Sequence, residues 1–147
     1  MARIEKTIRI SVPPEKVWHM LFWDRIPEWL EGIKEAEYTS KEKDVIGATA
    51  HVVGETAGIK VEFDIEITEY NKNSGASWRT KAGNFTANGN TILKPTETGV
   101  ELTLVMECDL PYSILGKIID KLLVSREMEQ GFDNGLKKLK DTLEEQR

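Results

Sequence analysis

Histidine and cysteine are the side chains most often used for nucleophilic or metal chemistry, and this chain has few of them. It contains two histidines, His19 and His51, and a single cysteine, Cys108. A nucleophilic triad needs a histidine beside its nucleophile. His19 is predicted on the outward side of a helix and His51 on the solvent face of a strand, without the spacing of a metal-ligand pair. One cysteine forms neither an intramolecular disulfide nor a cysteine-based zinc site. We therefore predict no catalytic residue, no metal site and no cofactor.

Carboxylates are the other side chains that could carry acid–base catalysis. Asp and Glu outnumber Lys and Arg by 25 to 20, which gives a formal net charge of -5. Such a charge disfavours contact with nucleic-acid phosphates, so we expect no nucleic-acid partner. Most of the acidic residues lie at the polar positions of predicted strands, where apolar and polar residues alternate, and a solvent-exposed face explains them. These residues are Glu62, Asp64, Glu66, Glu101 and Glu107.

Alternation of apolar and polar residues predicts strands through most of the chain. The clearest case is the segment 59–67, where apolar residues at odd positions alternate with charged residues at even positions. One apolar face and one solvated face are typical of an antiparallel sheet. Between residues 83 and 95 the hairpin turn could be formed by Gly83-Asn84 or by Asn88-Gly89, and the pattern leaves both open.

Helical spacing appears in two places. Two short helices are predicted after the first strand, one beginning near Pro14 and one from Glu28 to Gly32, after Pro27. A long terminal helix is predicted to begin between residues 111 and 118. Gly131 and Gly135 weaken it, so we expect either a break near 125–131 or a close approach to the sheet. Its apolar stripe is Ile114, Ile118, Leu122, Phe132, Leu136, Leu139 and Leu143.

The chain carries no segment typical of export or of membrane insertion. The opening MARIEKTIRI is charged and alternating, unlike a signal peptide. No apolar run approaches the roughly 18 to 20 residues that span a bilayer. We therefore expect a cytoplasmic protein without integral membrane association.

The order of one strand, two helices, six strands and a long helix resembles the START-like superfamily. This superfamily is also called SRPBCC or the Bet v 1-like helix-grip fold, and the chain looks closest to its polyketide cyclase/dehydrase and lipid-transport group. The similarity covers essentially the whole chain and rests on ISVPPEKVWHMLFW, IPEWLEGIKEAEY, VIGATAHV and ETGVELTLVMECDL in that order. It implies one α+β domain over residues 1–147, a curved antiparallel sheet of about seven strands (β-α-α-β6-α) around the C-terminal helix. It also implies a cavity between sheet and helix for a small hydrophobic molecule.

Large apolar side chains and two hydroxyls are the candidates for lining that cavity. Trp29 is interpreted either as a gate near the cavity mouth or as a hydrophobic anchor. Tyr38 and Thr80 would present hydroxyls to a ligand, or else form hydrogen bonds within the sheet. Small residues on or near the strands would leave room: Ala48, Ala50, Gly54, Ala82 and Ala87. The predicted ligand-binding residues are Trp29, Tyr38, Phe63, Trp78, Thr80, Phe85, Leu104, Met106, Ile118, Leu122 and Met128.

Three functions follow as hypotheses. The leading one is non-enzymatic binding or transport of a lipid, a polyketide or a similar molecule. The second is a cyclase/aromatase-like enzyme that folds a reactive chain and orders water in the same cavity, without a strong base. The third is a module that docks a protein or a membrane surface through Leu115, Ile119 and Leu123. The sequence leaves the oligomeric state open.

Overall fold

The computed structural model describes residues 2–56, 58–109 and 121–145. The described elements follow the predicted order, with the second short helix formed as a 3-10 helix. That helix begins before the predicted position and contains Pro27, whose fixed φ suits a 3-10 turn. The elements are β1 (Ala2–Ile10), α1 (Pro14–Met20), the 3-10 helix (Trp23–Glu28), β2 (Ile33–Tyr38), β3 (Thr49–Thr56), β4 (Ile59–Asn71), β5 (Gly75–Gly83), β6 (Thr86–Pro95), β7 (Val100–Asp109) and α2 (Lys121–Glu145).

The seven strands form one antiparallel sheet in the order β1-β7-β6-β5-β4-β3-β2. Strands β2 to β7 are sequential neighbours. Strand β1 pairs with β7 and forms the edge opposite β2. In this register Ile4 lies opposite Met106 and Ile10 lies opposite Val100. Both pairs place buried apolar residues of the two strands on one inner face, as the alternation predicts.

Buried apolar residues form two clusters on that inner face. The first is built mainly by β3, β4, β6 and β7, and includes Phe63, Phe85 and Met106. The second joins α1 and the ends of β1, β6 and β7 to the C-terminal half of α2. The predicted helix stripe is confirmed there, because Leu136, Leu139 and Leu143 are buried in the second cluster. Its predicted members Ile114 and Ile118 lie outside the described residues, as does the side chain of Leu122.

Helix α2 runs without interruption from Lys121 to Glu145, so the predicted break near 125–131 is wrong. A β-carbon on Gly131 would meet no atom of the described residues within 4 Å. One on Gly135 would lie 3.0 Å from the carbonyl oxygen of Trp29. Gly135 therefore permits a close approach, but to the segment after the 3-10 helix and not to the sheet.

The β5–β6 turn is formed by Gly83-Asn84. Gly83 has a φ of +117°, which strongly favours glycine. The Asn84 side chain supports the turn, because its Oδ1 accepts a hydrogen bond of 2.8 Å from the Glu62 amide. Gly89 lies instead within β6, where a β-carbon would stand 2.5 Å from Nε1 of Trp78. Asn88-Gly89 is therefore strand, and its glycine makes room for an indole.

Candidate ligand cavity

A cavity of about 500 Å³ lies between the sheet, the 3-10 helix and the first half of the described part of α2. It exists because α2 packs unequally along its length. The C-terminal half is buried through leucines in the second cluster. Farther toward the N-terminus, Met128, Gly131 and Phe132 line the cavity. Gly131 contributes no side chain, so this turn of the helix leaves space below it unfilled.

Aromatic and large apolar side chains form most of the cavity wall. Trp23 and Trp78 meet edge to face with ring centroids 5.1 Å apart, and Phe63 and Phe85 lie 5.2 Å apart. The predicted residues that line the cavity are Trp29, Phe63, Trp78, Phe85, Leu104, Met106 and Met128. Their contact with a ligand stays a prediction. Ile118 and the side chain of Leu122 lie outside the described part of the chain.

Tyr38 and Thr80 are not among the described residues that line the cavity. The Tyr38 hydroxyl accepts a hydrogen bond of 2.9 Å from the Trp23 amide, and burial raises the pKa of this phenol well above its ordinary value. Thr80 Oγ1 accepts a bond of 3.1 Å from the Ala87 amide, one residue beyond the last β5–β6 backbone pair. Both hydroxyls are thus used inside the protein, one to hold the 3-10 helix and one to extend the sheet.

Trp29 has the geometry of an anchor. It is 3% exposed, and its indole N–H donates a hydrogen bond of 2.9 Å to the carbonyl oxygen of Met20. A buried Trp with its N–H satisfied is held in place by both contacts. Trp29 therefore lines the inner wall of the cavity, and the gate interpretation lacks the exposed position it needs.

The predicted small residues do not create the space. None of Ala48, Ala50, Gly54, Ala82 and Ala87 lines the cavity. Ala82 is exposed, because the register of β5 shifts between the pairs Asp64–Ala82 and Ile65–Thr80. An extra residue in one strand reverses which face the next side chain takes. The small residues that do line the cavity are Gly32, Gly58, Ala76 and Gly131.

A second register shift places Tyr70 in the cavity wall, which the sequence did not predict. In β4, Ile67 pairs with Trp78 and Tyr70 with Ala76, so one extra residue intervenes in β4. The even-numbered Tyr70 thereby joins the inner face that odd-numbered residues occupy earlier in the strand. Its hydroxyl accepts a hydrogen bond of 3.0 Å from Nε1 of Trp18. Alternation read along β4 assigns residue 70 to solvent, and only the strand pairing reveals its position.

Charge is confined to the rim of the cavity in the described part of the chain. The charged lining residues are Glu31, Lys34, Glu55 and Glu127, and all are exposed. The described residues contain no cluster of three or more side chains suited to holding a metal ion. No described helix is long and apolar enough to cross a membrane. The cavity can therefore hold an apolar molecule. Its uncharged polar lining residues are the hydroxyl-bearing Thr56, Tyr70 and Thr91 and the amide-bearing Asn90, Gln130 and Asn134.

Comparisons with known proteins identify relatives of this chain. The family model described as "Polyketide cyclase / dehydrase and lipid transport" matches residues 1–144. A search of curated proteins found no match. A protein from Thermus thermophilus is 21% identical over 95% of both chains, with a TM-score of 0.78. A START superfamily protein from Mycobacterium smegmatis is 15% identical over 99% of both, with a TM-score of 0.76.

The structure of Ara h 8.0201 is similar over 97% of both chains, at 13% identity and a TM-score of 0.67. At such identities these structures establish the fold alone. The helix-grip architecture and the START-like, Bet v 1-like resemblance are thereby confirmed. With the family model spanning nearly all of the sequence, this chain belongs to the polyketide cyclase/dehydrase and lipid transport family.

Proposed function

We propose that this protein binds a small hydrophobic molecule, such as a lipid or a polyketide, in the cavity under α2. The observation that carries the proposal is an unfilled space of about 500 Å³ beside a tightly packed core. Protein interiors are normally close-packed, so a space of this size requires a reason. It falls within the usual range of ligand pockets, roughly 300 to 1,000 Å³.

The wall chemistry supports an apolar ligand. Rings from Trp23, Trp78, Phe63 and Phe85 supply a large hydrocarbon surface, and the charged groups stay at the exposed rim. Burial of apolar ligand surface is favourable by about 25 cal/mol per Å². Met106 and Met128 add thioether side chains, which adapt to irregular shapes. These features favour binding by shape and hydrophobicity.

The first test is direct. The protein is purified from its host, examined by native mass spectrometry, and extracted for lipids and other apolar molecules. The delipidated protein is then titrated with neutral lipids, sterols, polycyclic aromatics and the fluorescent probe N-phenyl-1-naphthylamine. We expect a retained molecule or saturable binding of at least one compound. The absence of both across the whole panel would contradict the proposal.

A matched pair of variants locates the binding. Ala76→Leu places a larger side chain on the cavity wall, whereas Ala82→Leu makes the same change at an exposed position of the same strand. Because the leucine occupies part of the cavity, we expect Ala76→Leu to weaken probe binding about tenfold or more, equivalent to roughly 1.4 kcal/mol. Ala82→Leu is expected to bind like the wild type. Equal effects of the two changes would place the probe elsewhere.

Cyclase activity in the same cavity is the second candidate, favoured by the Tyr70 and Thr91 side chains in the wall. Two hydroxyls can orient a carbonyl chain and a water molecule without a strong base. The assay incubates a reactive poly-β-carbonyl thioester with and without the protein, and compares the distribution of cyclised products. A changed distribution that Ala76→Leu abolishes would support catalysis. An unchanged distribution would leave binding as the function.

A further inference from the structure

We propose that the cavity selects uncharged ligands that carry a hydrogen-bond acceptor, such as a carbonyl or ether oxygen, and that the Tyr70 hydroxyl donates to this oxygen. The inference rests on the proposed function, because it names the chemical class of ligand for the same cavity. It depends on which hydrogen-bonding capacity the wall leaves unused.

The hydrogen bond between Trp18 and Tyr70 determines whether the Tyr70 hydroxyl can still donate or accept. Indole nitrogen only donates, so in the 3.0 Å contact the Tyr70 oxygen must be the acceptor. Trp18 is 5% exposed and its ring meets Tyr70 edge to face at 5.5 Å, which holds the phenol in place. The O–H proton of Tyr70 then remains available, and no described residue accepts it. Burial raises the pKa of Tyr70, so the phenol keeps this proton at neutral pH.

The strand pairing places a second hydroxyl near the same wall. Tyr70 lies opposite Ala76, Ala76 opposite Thr91, and Thr91 opposite Leu104, so these residues form one row across four strands. All four line the cavity. Ala76 lies between the two hydroxyl-bearing residues, and its small side chain leaves space there. A ligand oxygen has a polar wall here, whereas the part of the wall formed by the side chains of Phe63, Phe85 and Met106 offers no hydrogen-bond donor.

The charge distribution disfavours an anionic head group at this wall. The one cationic side chain among the described lining residues is Lys34, which is exposed at the rim, as are Glu31, Glu55 and Glu127. A carboxylate at Tyr70 would lose its hydration without gaining a counter-charge, and burying an unpaired charge is strongly unfavourable. A carbonyl or ether oxygen has a much smaller hydration to lose, and one good donor compensates for it. Neutral acceptors are therefore favoured over both anions and pure hydrocarbons.

Three naphthalene probes of similar shape separate these classes: 2-acetylnaphthalene, 2-isopropylnaphthalene and 2-naphthoate. Affinities are measured by isothermal titration calorimetry on the delipidated protein. One hydrogen bond commonly changes affinity by about 3- to 10-fold, so we expect the acetyl compound to bind that much more tightly than the isopropyl compound. The naphthoate is expected to bind more weakly than both. Equal affinities of the acetyl and isopropyl compounds would overturn the inference.

Tyr70→Phe removes the donor, and Tyr38→Phe makes the same change at a tyrosine outside the cavity lining. We expect Tyr70→Phe to abolish the acetyl preference while it preserves binding of the isopropyl compound, which also reports an intact cavity. Tyr38→Phe is expected to keep the preference. A preference that survives Tyr70→Phe, or is lost equally in Tyr38→Phe, would contradict the assignment to Tyr70.

An independent readout is the indole N–H signal of Trp18 in ¹H–¹⁵N spectra, assigned with Trp18→Phe. When Tyr70 donates to a ligand its oxygen becomes a stronger acceptor, because linked hydrogen bonds reinforce one another. We expect a downfield shift with the acetyl compound that exceeds the shift with the isopropyl compound. Equal shifts count against the inference. If none of the probes binds and the wider panel also fails, both the inference and the proposed function are wrong, whereas binding without acetyl preference overturns the inference alone.

Discussion

His51 lies on the outer face of the sheet between two carboxylates. Its Nδ1 is 2.7 Å from Oδ1 of Asp64, and its Nε2 is 2.9 Å from Oε2 of Glu62. The hydrogen bond to Asp64, followed by that to Glu62, raises the pKa of His51 above its ordinary 6.5. The hydrogen bond from His51 in turn lowers the pKa of Glu62 below its ordinary 4.5. This arrangement is a surface feature of the solvated face, where the sequence predicted His51.

The two shifts predict a pH-dependent contribution to stability. The raised pKa of His51 means that its contribution is complete below pH 6.5 and is lost as pH rises through the folded-state value. The lowered pKa of Glu62 means that its contribution is present above pH 4.5 and is lost at lower pH. We expect the Tm difference between wild type and His51→Gln to be largest between these limits and to shrink toward pH 9. Thermal melts across this range measure it, with the exposed His19→Gln as control; a difference that grows with pH would contradict the assignment.

Cys108 is expected to react slowly in the folded protein. The thiol is 1% exposed, and burial, followed by the charge of Asp109, raises the pKa of Cys108 from 9.0 to about 11. Because the thiolate is the reactive form, this shift alone slows alkylation about 100-fold at pH 8. Pulsed labelling with iodoacetamide, followed by mass spectrometry, should show little modification in buffer and rapid modification in urea. Rapid labelling without denaturant would indicate that the β7 end of the core opens readily.

At the scale of elements, α2 offers two glycines in contrasting surroundings. Among the described residues, none lies within 4 Å of where a β-carbon on Gly131 would stand, whereas Gly135 lies against Trp29 and Leu30. Gly131→Ala should stabilise the protein by about 0.5 to 1 kcal/mol through helix propensity. Gly135→Ala gains the same propensity but forces its neighbours apart, so we expect it to be at least about 1 kcal/mol less stable than Gly131→Ala. Urea unfolding of both variants measures which is more stable. Equal stabilities would show that the segment after the 3-10 helix moves away from Gly135 at little energetic cost.

The two halves of α2 pack differently, so substitutions in them should change the stability of the whole molecule by different amounts. Leu139 is 0% exposed in the second cluster, while Met128 is half-buried and borders the cavity. Leu139→Ala should cost about 2 to 5 kcal/mol of unfolding free energy, the usual range for a buried leucine. Met128→Ala should cost less than about 1 kcal/mol, because one side of the methionine already faces empty space. Similar losses for the two variants would mean that the cavity is closed in solution.

A ligand bound in the cavity should stabilise the folded protein. A molecule that binds only the folded state stabilises it by about 2.7 kcal/mol at a concentration of 100 Kd. We expect a bound apolar probe to raise the Tm of the wild type and of Leu139→Ala, and to raise that of Ala76→Leu much less at the same concentration. Thermal melts with and without probe measure the shift. An equal rise in Ala76→Leu would place the stabilising site outside the cavity.

Much of this molecule could be predicted from residue patterns alone. The period of two in residues 59–67 and the leucine spacing at 136, 139 and 143 predicted β4 and the buried face of α2, because alternation and helical spacing directly reflect which side of an element is buried. The order of these elements identified the superfamily. Seven predicted ligand-binding residues line the cavity, and those within strands, such as Phe63 and Met106, lie on the apolar side of the alternation.

The position of the polar groups was decided by tertiary structure alone. One extra residue in β4 turns Tyr70 inward, and one extra residue in β5 turns Ala82 outward; a bulge leaves no mark on composition or alternation. Tyr38 and Thr80 found partners among backbone amides that only the folded chain brings within reach. The sequence by itself thus determined the elements and their apolar faces, which are local properties. Where the cavity remains open and which hydroxyl serves it depend on strand register and on where a helix makes contact, and these arise only when distant segments pack together.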